Sequence, residues 1–228
     1  MISVVIPVFN GAAYIGQAIE SVLVQTLAPE EVVVVDDGSS DSTAQVVEQY
    51  APGVLYRWQA NQGPGAARNL GIRESKGELL AFLDSDDLWL PEKLRLQKAA
   101  FDDDPELDLV FCQMSQFRET GPDEAALSDE AAQPSPLISC MLARRAAFER
   151  VGPLRPDLKA EFVDWYLRAR EAGLRMRTLD VLLVKRRLHS ANFTLLNKDM
   201  PREYLHLLKA SLDRRRTKAG GAAPSALQ

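Results

Sequence analysis

The chain has 228 residues, enough for one large domain or two small ones with a sizeable core. Its 46% hydrophobic and 26% charged residues are ordinary for a globular protein, and a net charge of −5 argues against a general nucleic-acid binder. No apolar stretch approaches the length of a bilayer span, and no charged leader precedes the first apolar run, so neither a transmembrane segment nor a signal peptide is expected. Cys112 and Cys140 lie in apolar runs without metal-type spacing; reduced core thiols in a cytoplasmic protein are the expectation.

Ile2 to Val8 (ISVVIPV) is rich in β-branched residues and reads as a strand buried on both faces. Asn10-Gly11 ends it. Ile15, Ala18, Ile19, Val22 and Leu23 then recur at helical spacing, so residues 12–25 read as an amphipathic helix. The pattern repeats with a strand from Glu31 to Asp36, a polar turn, and a helix through Ala44, Val47 and Tyr50 capped by Ser40 or Asp41. Residues 54–59 form a third strand. NQGPGAARNLGIRESKG reads as a glycine-rich loop leading into a helix that ends near Gly77. Residues 79–83 are a fourth strand, which runs straight into Asp84, Ser85, Asp86 and Asp87. Strands alternating with helices imply β-α-β units and a doubly wound α/β sheet. Such sheets bind ligands outside the carboxyl ends of their strands, the edge that collects residues 7–10, Asp36-Asp37 and residues 84–87.

The second half is less regular. Pro91 opens a helix to about Phe101, residues 107–117 form a strand, and 118–136, acidic and rich in helix breakers, read as a flexible loop. A strand over 137–144, a helix over 161–172 ended by Gly173, and a strand over 179–185 follow. Residues 201–215 are amphipathic through Tyr204, Leu205, Leu208 and Leu212, and 217–228 are expected to be disordered.

Three carboxylates crowded at a strand exit repel one another, so the cluster is either a solvated turn or a cation site. Mg²⁺ or Mn²⁺ takes one or two carboxylates together with phosphate oxygens and water; Asp84 and Asp86 can flank such an ion across Ser85. Asp36 suits a turn or capping role, whereas Asp37 can accept from a nucleobase N–H or a ribose hydroxyl. GPGAARN lacks the Gly-Lys-Ser/Thr ending of a Walker motif. Its glycines allow close backbone approach, and Arg68 can counter phosphate or carboxylate charge.

SVVIPVFN, VVVDDGSSDST, GPGAARNLGI and AFLDSDDLWLP stand in the order and at the spacings of the family-two nucleotide-sugar glycosyltransferases, which the chain resembles over residues 2–100. The resemblance implies a GT-A fold, a Rossmann-like mixed and mainly parallel sheet flanked by helices. Residues 1–216 would form one domain, with a nucleotide-sugar half over about 1–100 and an acceptor half over about 101–216. The implied reaction is an inverting, metal-dependent transfer of a hexosyl or hexosaminyl group from a nucleotide-diphosphate sugar donor. Its acceptor (glycan, peptide, lipid-linked or small molecule) is not specified, and peripheral membrane contact stays open. By the same resemblance Pro7, Val8, Phe9 and Asp37 border the nucleobase and ribose. Arg68 and Ser85 lie near the nucleotide, Asp84 beside the ribose or metal, and Asp86 ligates Mn²⁺ or Mg²⁺.

Family members usually open a late helix with Glu-Asp, the Asp being the general base. Here AEFVDWYLRAREAG carries Phe162 in place of that Asp. Glu161 and Asp164, three apart and on one helical face, are the candidate bases, and Glu161 is preferred because it lies nearer the helix start. His189 in KRRLHSAN corresponds to the late His that some GT-A enzymes recruit as a metal ligand, or is structural. Arg186 and Arg187 either help neutralise the leaving diphosphate or are solvated strand-end residues. The alternatives are a nucleotidyltransferase, against which PVFNGAAYI lacks a basic phosphate loop, and a catalytically degenerate sugar-nucleotide binder, which Phe162 alone favours.

Overall fold

The computed structural model describes residues 1–118, 133–134, 136–197 and 199–220. The expected loop over 118–136 lies almost entirely outside the described residues, as does the tail from 221 onward. In chain order the elements of the first half are β1 (Ile2–Val8), α1 (Ile15–Leu23), β2 (Glu31–Asp36), α2 (Thr43–Glu48), β3 (Leu55–Trp58), α3 (Pro64–Glu74) and β4 (Leu79–Phe82). The second half comprises β5 (Leu88–Trp89), α4 (Lys93–Asp103), β6 (Leu109–Phe117), β7 (Gln133–Pro134), β8 (Leu142–Arg144), α5 (Arg145–Val151), α6 (Glu161–Glu171), β9 (Met176–Arg187), α7 (Phe193–Leu196) and α8 (Met200–Gly220).

All the described strands join one mixed sheet in the order β3-β2-β1-β4-β8-β6-β9-β5, with β7 on β6. The first four strands are parallel to one another, and β6 runs parallel to β9. The short β8 is antiparallel to both neighbours and welds the two halves together. Every residue of β1 is buried, as the strand's continuous apolar run requires. Along β2 the alternation sorts the faces: Val32 and Val34 join the core that contains Ile15 and Ile19 of α1, while Val33 and Val35 pack with Ala67 of α3. Helices therefore cover both faces of the parallel half.

Several local expectations change. The glycine-rich segment does lead into a helix, and α3 opens early in it, with Pro64 at its first turn and Gly63 at φ 87° just before it. Proline fits there because its missing N–H would have no helical partner. The glycines inside the helix serve close packing: a Cβ on Gly71 would sit 2.2 Å from Val5 Cγ1, and one on Gly65 would sit 3.1 Å from Glu161 Cγ. Residues 137–144 hold a 3₁₀ turn (Ile138–Cys140) before β8, not one strand. The last strand is longer than expected, and α8 extends through residues 217–220, where disorder was expected.

Candidate active site

Three loops meet at the carboxyl edge of the parallel strands. The loop after β1 turns at Asn10, which takes φ 52°, and lies against the loop after β2. Asn10 N donates to Ser39 Oγ (2.8 Å), Ser40 N to Asn10 Oδ1 (2.8 Å), Gly11 N to Thr43 Oγ1 (3.0 Å) and Ala12 N to Asp41 Oδ2 (3.1 Å). Asp41 also accepts from Thr43 N (3.0 Å), two residues on, and so organises the entry to α2. Asp36 takes the turn role expected of it, accepting from Ser39 N (2.7 Å) and from the Tyr56 hydroxyl (2.7 Å).

Asp37 is buried and fully engaged. Its Oδ1 accepts from Gln59 Nε2 (2.6 Å) and Gln62 N (3.0 Å), and its Oδ2 from Gly63 N (2.8 Å). The carboxylate thus moulds residues 59–63, the segment that delivers the chain to α3. Pro7 and Val8 are buried in β1, and the Val8 carbonyl accepts from Asp37 N (2.8 Å). Phe9 differs: it is 53% exposed and presents an open ring to solvent at the strand end.

The acidic cluster after β4 is a tight turn closed by Asp87 N donating to Asp84 O (3.0 Å). Ser85 lies against Gly11, where an added Cβ would fall 3.4 Å from Ser85 Oγ and 2.5 Å from Val8 Cγ2. The cation among the carboxylates is arginine. Arg68, its side chain 8% exposed, donates through Nη2 to Asp84 Oδ1 (2.5 Å) and through Nη1 to Glu161. One buried guanidinium therefore joins α3, the β4 turn and the first turn of α6. Burial pushes the Glu161 carboxyl above its ordinary range against the opposing pull of Arg68.

The other end of the turn is held from the far half of the chain. β5 pairs antiparallel with β9 through Leu88–Lys185 and Trp89–Val184, which brings the residues after β9 over the aspartates. Asp86 Oδ2 lies 3.0 Å from His189 Nε2 and accepts from Asn192 Nδ2 (2.9 Å). Arg187 is buried behind the turn. Its N donates to Asp87 Oδ1 (3.1 Å), its Nε to Asp86 O (2.9 Å) and its Nη2 to Gln17 Oε1 (2.5 Å). Those bonds make Arg187 a brace for the turn, whereas Arg186 is half-buried. Asp87, buried beside Asp84 and Asp86, has its carboxyl pushed well up, first by desolvation and then by its two neighbours.

The two candidate bases part company. Asp164 is buried and accepts from Arg168 Nε (2.8 Å), while the other Arg168 nitrogens hold the carbonyls of Val151 and Pro153. It fastens α6 to the loop after α5. Glu161 instead sits in the Arg68–Asp84 network. Phe162 is buried and stacks toward Trp165 (centroids 6.1 Å apart), so the position that departs from the usual Glu-Asp pair has joined the core. Asn192 and Arg187 had not been assigned these contacts from sequence. Asn192 lies 106 positions from Asp86, so only the β5–β9 pairing could have revealed it.

A mixed α/β sheet that gathers carboxylates, an arginine and a histidine at the ends of its parallel strands is an α/β protein with a candidate ligand site at that edge. The chain belongs to glycosyl transferase family 2, whose family model matches residues 3–152. It is 33% identical over 211 residues to an uncharacterised glycosyltransferase of Nostoc sp. (strain PCC 7120), covering 84% of this chain and 66% of that protein. An uncharacterised glycosyltransferase of Rickettsia typhi is 42% identical over 97 residues, 42% of this chain and 30% of its own length. The structure of S. aureus TarS 1–349 in complex with UDP-GlcNAc aligns with a TM-score of 0.72 at 25% identity, over 92% of this chain and 65% of that one. The chain thus spans between about a third and two thirds of these relatives. The protein is a glycosyltransferase by family, and TarS has also been solved in complex with UDP.

Proposed function

We propose that the protein transfers a sugar from a nucleotide-diphosphate donor to an acceptor hydroxyl with inversion at the anomeric carbon, assisted by Mn²⁺ or Mg²⁺. The observation that carries this reading is the convergence of Asp86 and His189 at 3.0 Å, beside an Asp84 that Arg68 links to Glu161. Among the described residues no group of three or more His, Cys, Asp or Glu side chains is arranged to hold a metal. Two protein donors nevertheless suit an ion whose remaining positions go to phosphate oxygens and water. An imidazole nitrogen is a softer donor than the all-oxygen set Mg²⁺ prefers, so this pair suits Mn²⁺ better. Bound there, the ion would supply Lewis-acid stabilisation to the charge on the departing diphosphate.

The chain's own groups divide the remaining work. Asp37, which moulds residues 59–63, and the open Phe9 ring border the nucleobase and ribose, as the resemblance implies for both. Glu161 takes the acceptor proton. Its burial raises the carboxyl's proton affinity, which suits a base, and Arg68 fixes its position. Asp164 positions α6 through Arg168 and takes no proton. UDP is the first nucleotide to test, because the TarS complexes hold UDP and UDP-GlcNAc.

Calorimetric titration of UDP with and without Mn²⁺ tests the metal assignment. Asp86→Ala and His189→Ala should each remove the metal-dependent gain in affinity while leaving metal-free binding and the melting temperature near wild type. A full Mn²⁺ gain in both variants would refute this pair as the metal site.

A further inference from the structure

We propose that α8 docks the protein on an anionic lipid surface through its outward face. A surface helix ordinarily turns its leucines inward. In α8 the inward face is fastened by polar bonds. Ala160 N donates to Glu203 Oε2 (2.7 Å), Ser211 Oγ to Glu171 Oε1 (2.6 Å), and Arg214 Nε to Glu171 Oε2 (2.8 Å). The buried Met200 and half-buried Leu207 share that face, whereas the other three leucines of the helix point the other way. Leu205, Leu208 and Leu212 are 66%, 46% and 53% exposed. At i, i+3 and i+7 they form one stripe spanning about 60° of the helix circumference. Phe193 and Leu196 of α7, just upstream, are also exposed.

Charge identifies the occupant. Lys209 and Arg216 flank the stripe on one side and Arg215 on the other, all exposed, with Arg202 beyond Lys209. Asp213 is the one exposed acid on the helix among the described side chains. The chain as a whole carries −5, so this basic face runs against its net charge. An apolar stripe edged by Lys and Arg is the pattern of a helix lying in a membrane interface, its leucines in the headgroup–acyl boundary and its cations on anionic headgroups. A second copy is a poor occupant, because two such faces would bring Lys209, Arg215 and Arg216 against their own counterparts. No helix among the described residues is long and apolar enough to cross a membrane, so α8 would lie on the surface rather than span it. Docked so, α8 lies between the lipid and α6, the helix that opens with Glu161.

Sedimentation of the 228-residue chain with vesicles tests this directly. The protein should pellet with phosphatidylcholine vesicles containing phosphatidylglycerol, remain in the supernatant with pure phosphatidylcholine, and be released by high salt. A triple Leu205→Gln, Leu208→Gln, Leu212→Gln variant should retain its circular dichroism, since these side chains are exposed, and should lose roughly tenfold or more in partitioning. A Lys209→Glu, Arg215→Glu, Arg216→Glu variant should lose a comparable amount. Wild-type protein that stays in the supernatant with anionic vesicles would overturn the proposal. So would a concentration-dependent dimer, seen by light scattering, that the leucine variant abolishes, for the face would then belong to a second copy.

Discussion

The two halves of the sheet organise their functional residues by different means. In the parallel half, the loops after β1, β2 and β3 bond to one another, and Asp36, Asp37 and Asp41 are satisfied within about thirty positions of themselves. In the second half the contacts reach far. Glu161 meets Arg68 across 93 positions, Asn192 meets Asp86 across 106, and Arg187 meets Gln17 across 170. The first half builds a platform, in the proposed function the donor's, from local turns, and the second closes it with single side chains from distant elements. A shape-conserving change at Glu161 should therefore cost chemistry more than fold, whereas loss of a platform residue should cost both.

Glu161→Gln carries the largest expected effect. Gln preserves the shape and a carbonyl acceptor for Arg68 but takes no proton, so turnover should fall by roughly 10²–10⁴-fold with donor affinity within a few-fold of wild type. Because burial raises the Glu161 carboxyl, wild-type activity should climb as pH rises past the ordinary carboxylate range, and the variant should lack that acid limb. A joint collapse of donor binding and melting temperature would instead show that Glu161 only holds the buried Arg68, and the contrast between the halves would fail.

Asp37→Ala comes next and belongs to the platform. Removing a carboxylate that accepts from Gln59, Gln62 and Gly63 should weaken nucleotide binding by roughly ten- to hundred-fold with or without metal, and lower the melting temperature as well. Unchanged nucleotide affinity with lowered stability would confine Asp37 to shaping its loop.

The local character of the first half is why it was legible in sequence. An apolar run ended by Asp-Asp or Asp-Ser-Asp-Asp announces both a strand and what lies at its end. The motifs there fix β1 to β4 with shifts of a few residues at helix ends. Less visible was where α3 starts, because glycine costs a helix about 1 kcal/mol and argues for a loop. Packing of Gly71 on Val5 and of Gly65 on Glu161 overrides that preference. The two-residue β5 carries no pattern of its own and exists through its pairing with β9. At the C-terminus, RRRTKAG has no apolar period to read, and the helix-forming character of Arg, Lys and Ala carries α8 onward.

Asp164→Asn sharpens the contrast within α6. It weakens the bond to Arg168 and the hold on the Val151 and Pro153 carbonyls, so it should cost about 1.5–3 kcal/mol of stability while turnover stays within a few-fold. Collapse of turnover at unchanged stability would move the base from Glu161 to Asp164.

The smallest effect is expected at Lys93, in the core of the second half. Its ammonium is buried, donates to Gln97 Oε1 (2.9 Å) and lies 3.9 Å from the centroid of the Trp89 ring. Desolvation lowers its pKa to about 8. Between that value and the ordinary lysine value the unfolded chain holds a proton that the folded chain has released. The contribution of Lys93 to stability therefore rises with pH across this window, by up to about 1.4 kcal/mol per unit. Below pH 8 the fold carries a charged group in its core, a cost that Lys93→Met removes while leaving Gln97 Oε1 without its donor. These effects oppose each other, so the variant should match wild type within about 1–2 kcal/mol at pH 7. Near pH 10 the neutral wild-type lysine keeps its hydrogen bond without the charge penalty, so the variant should be the less stable there. Denaturant unfolding at pH 7 and pH 10 reads both values. A stability difference between wild type and Lys93→Met that stays constant over that interval would show that Lys93 keeps its proton, since the neighbouring Cys112 and Cys140 thiols, which also titrate there, are common to both proteins.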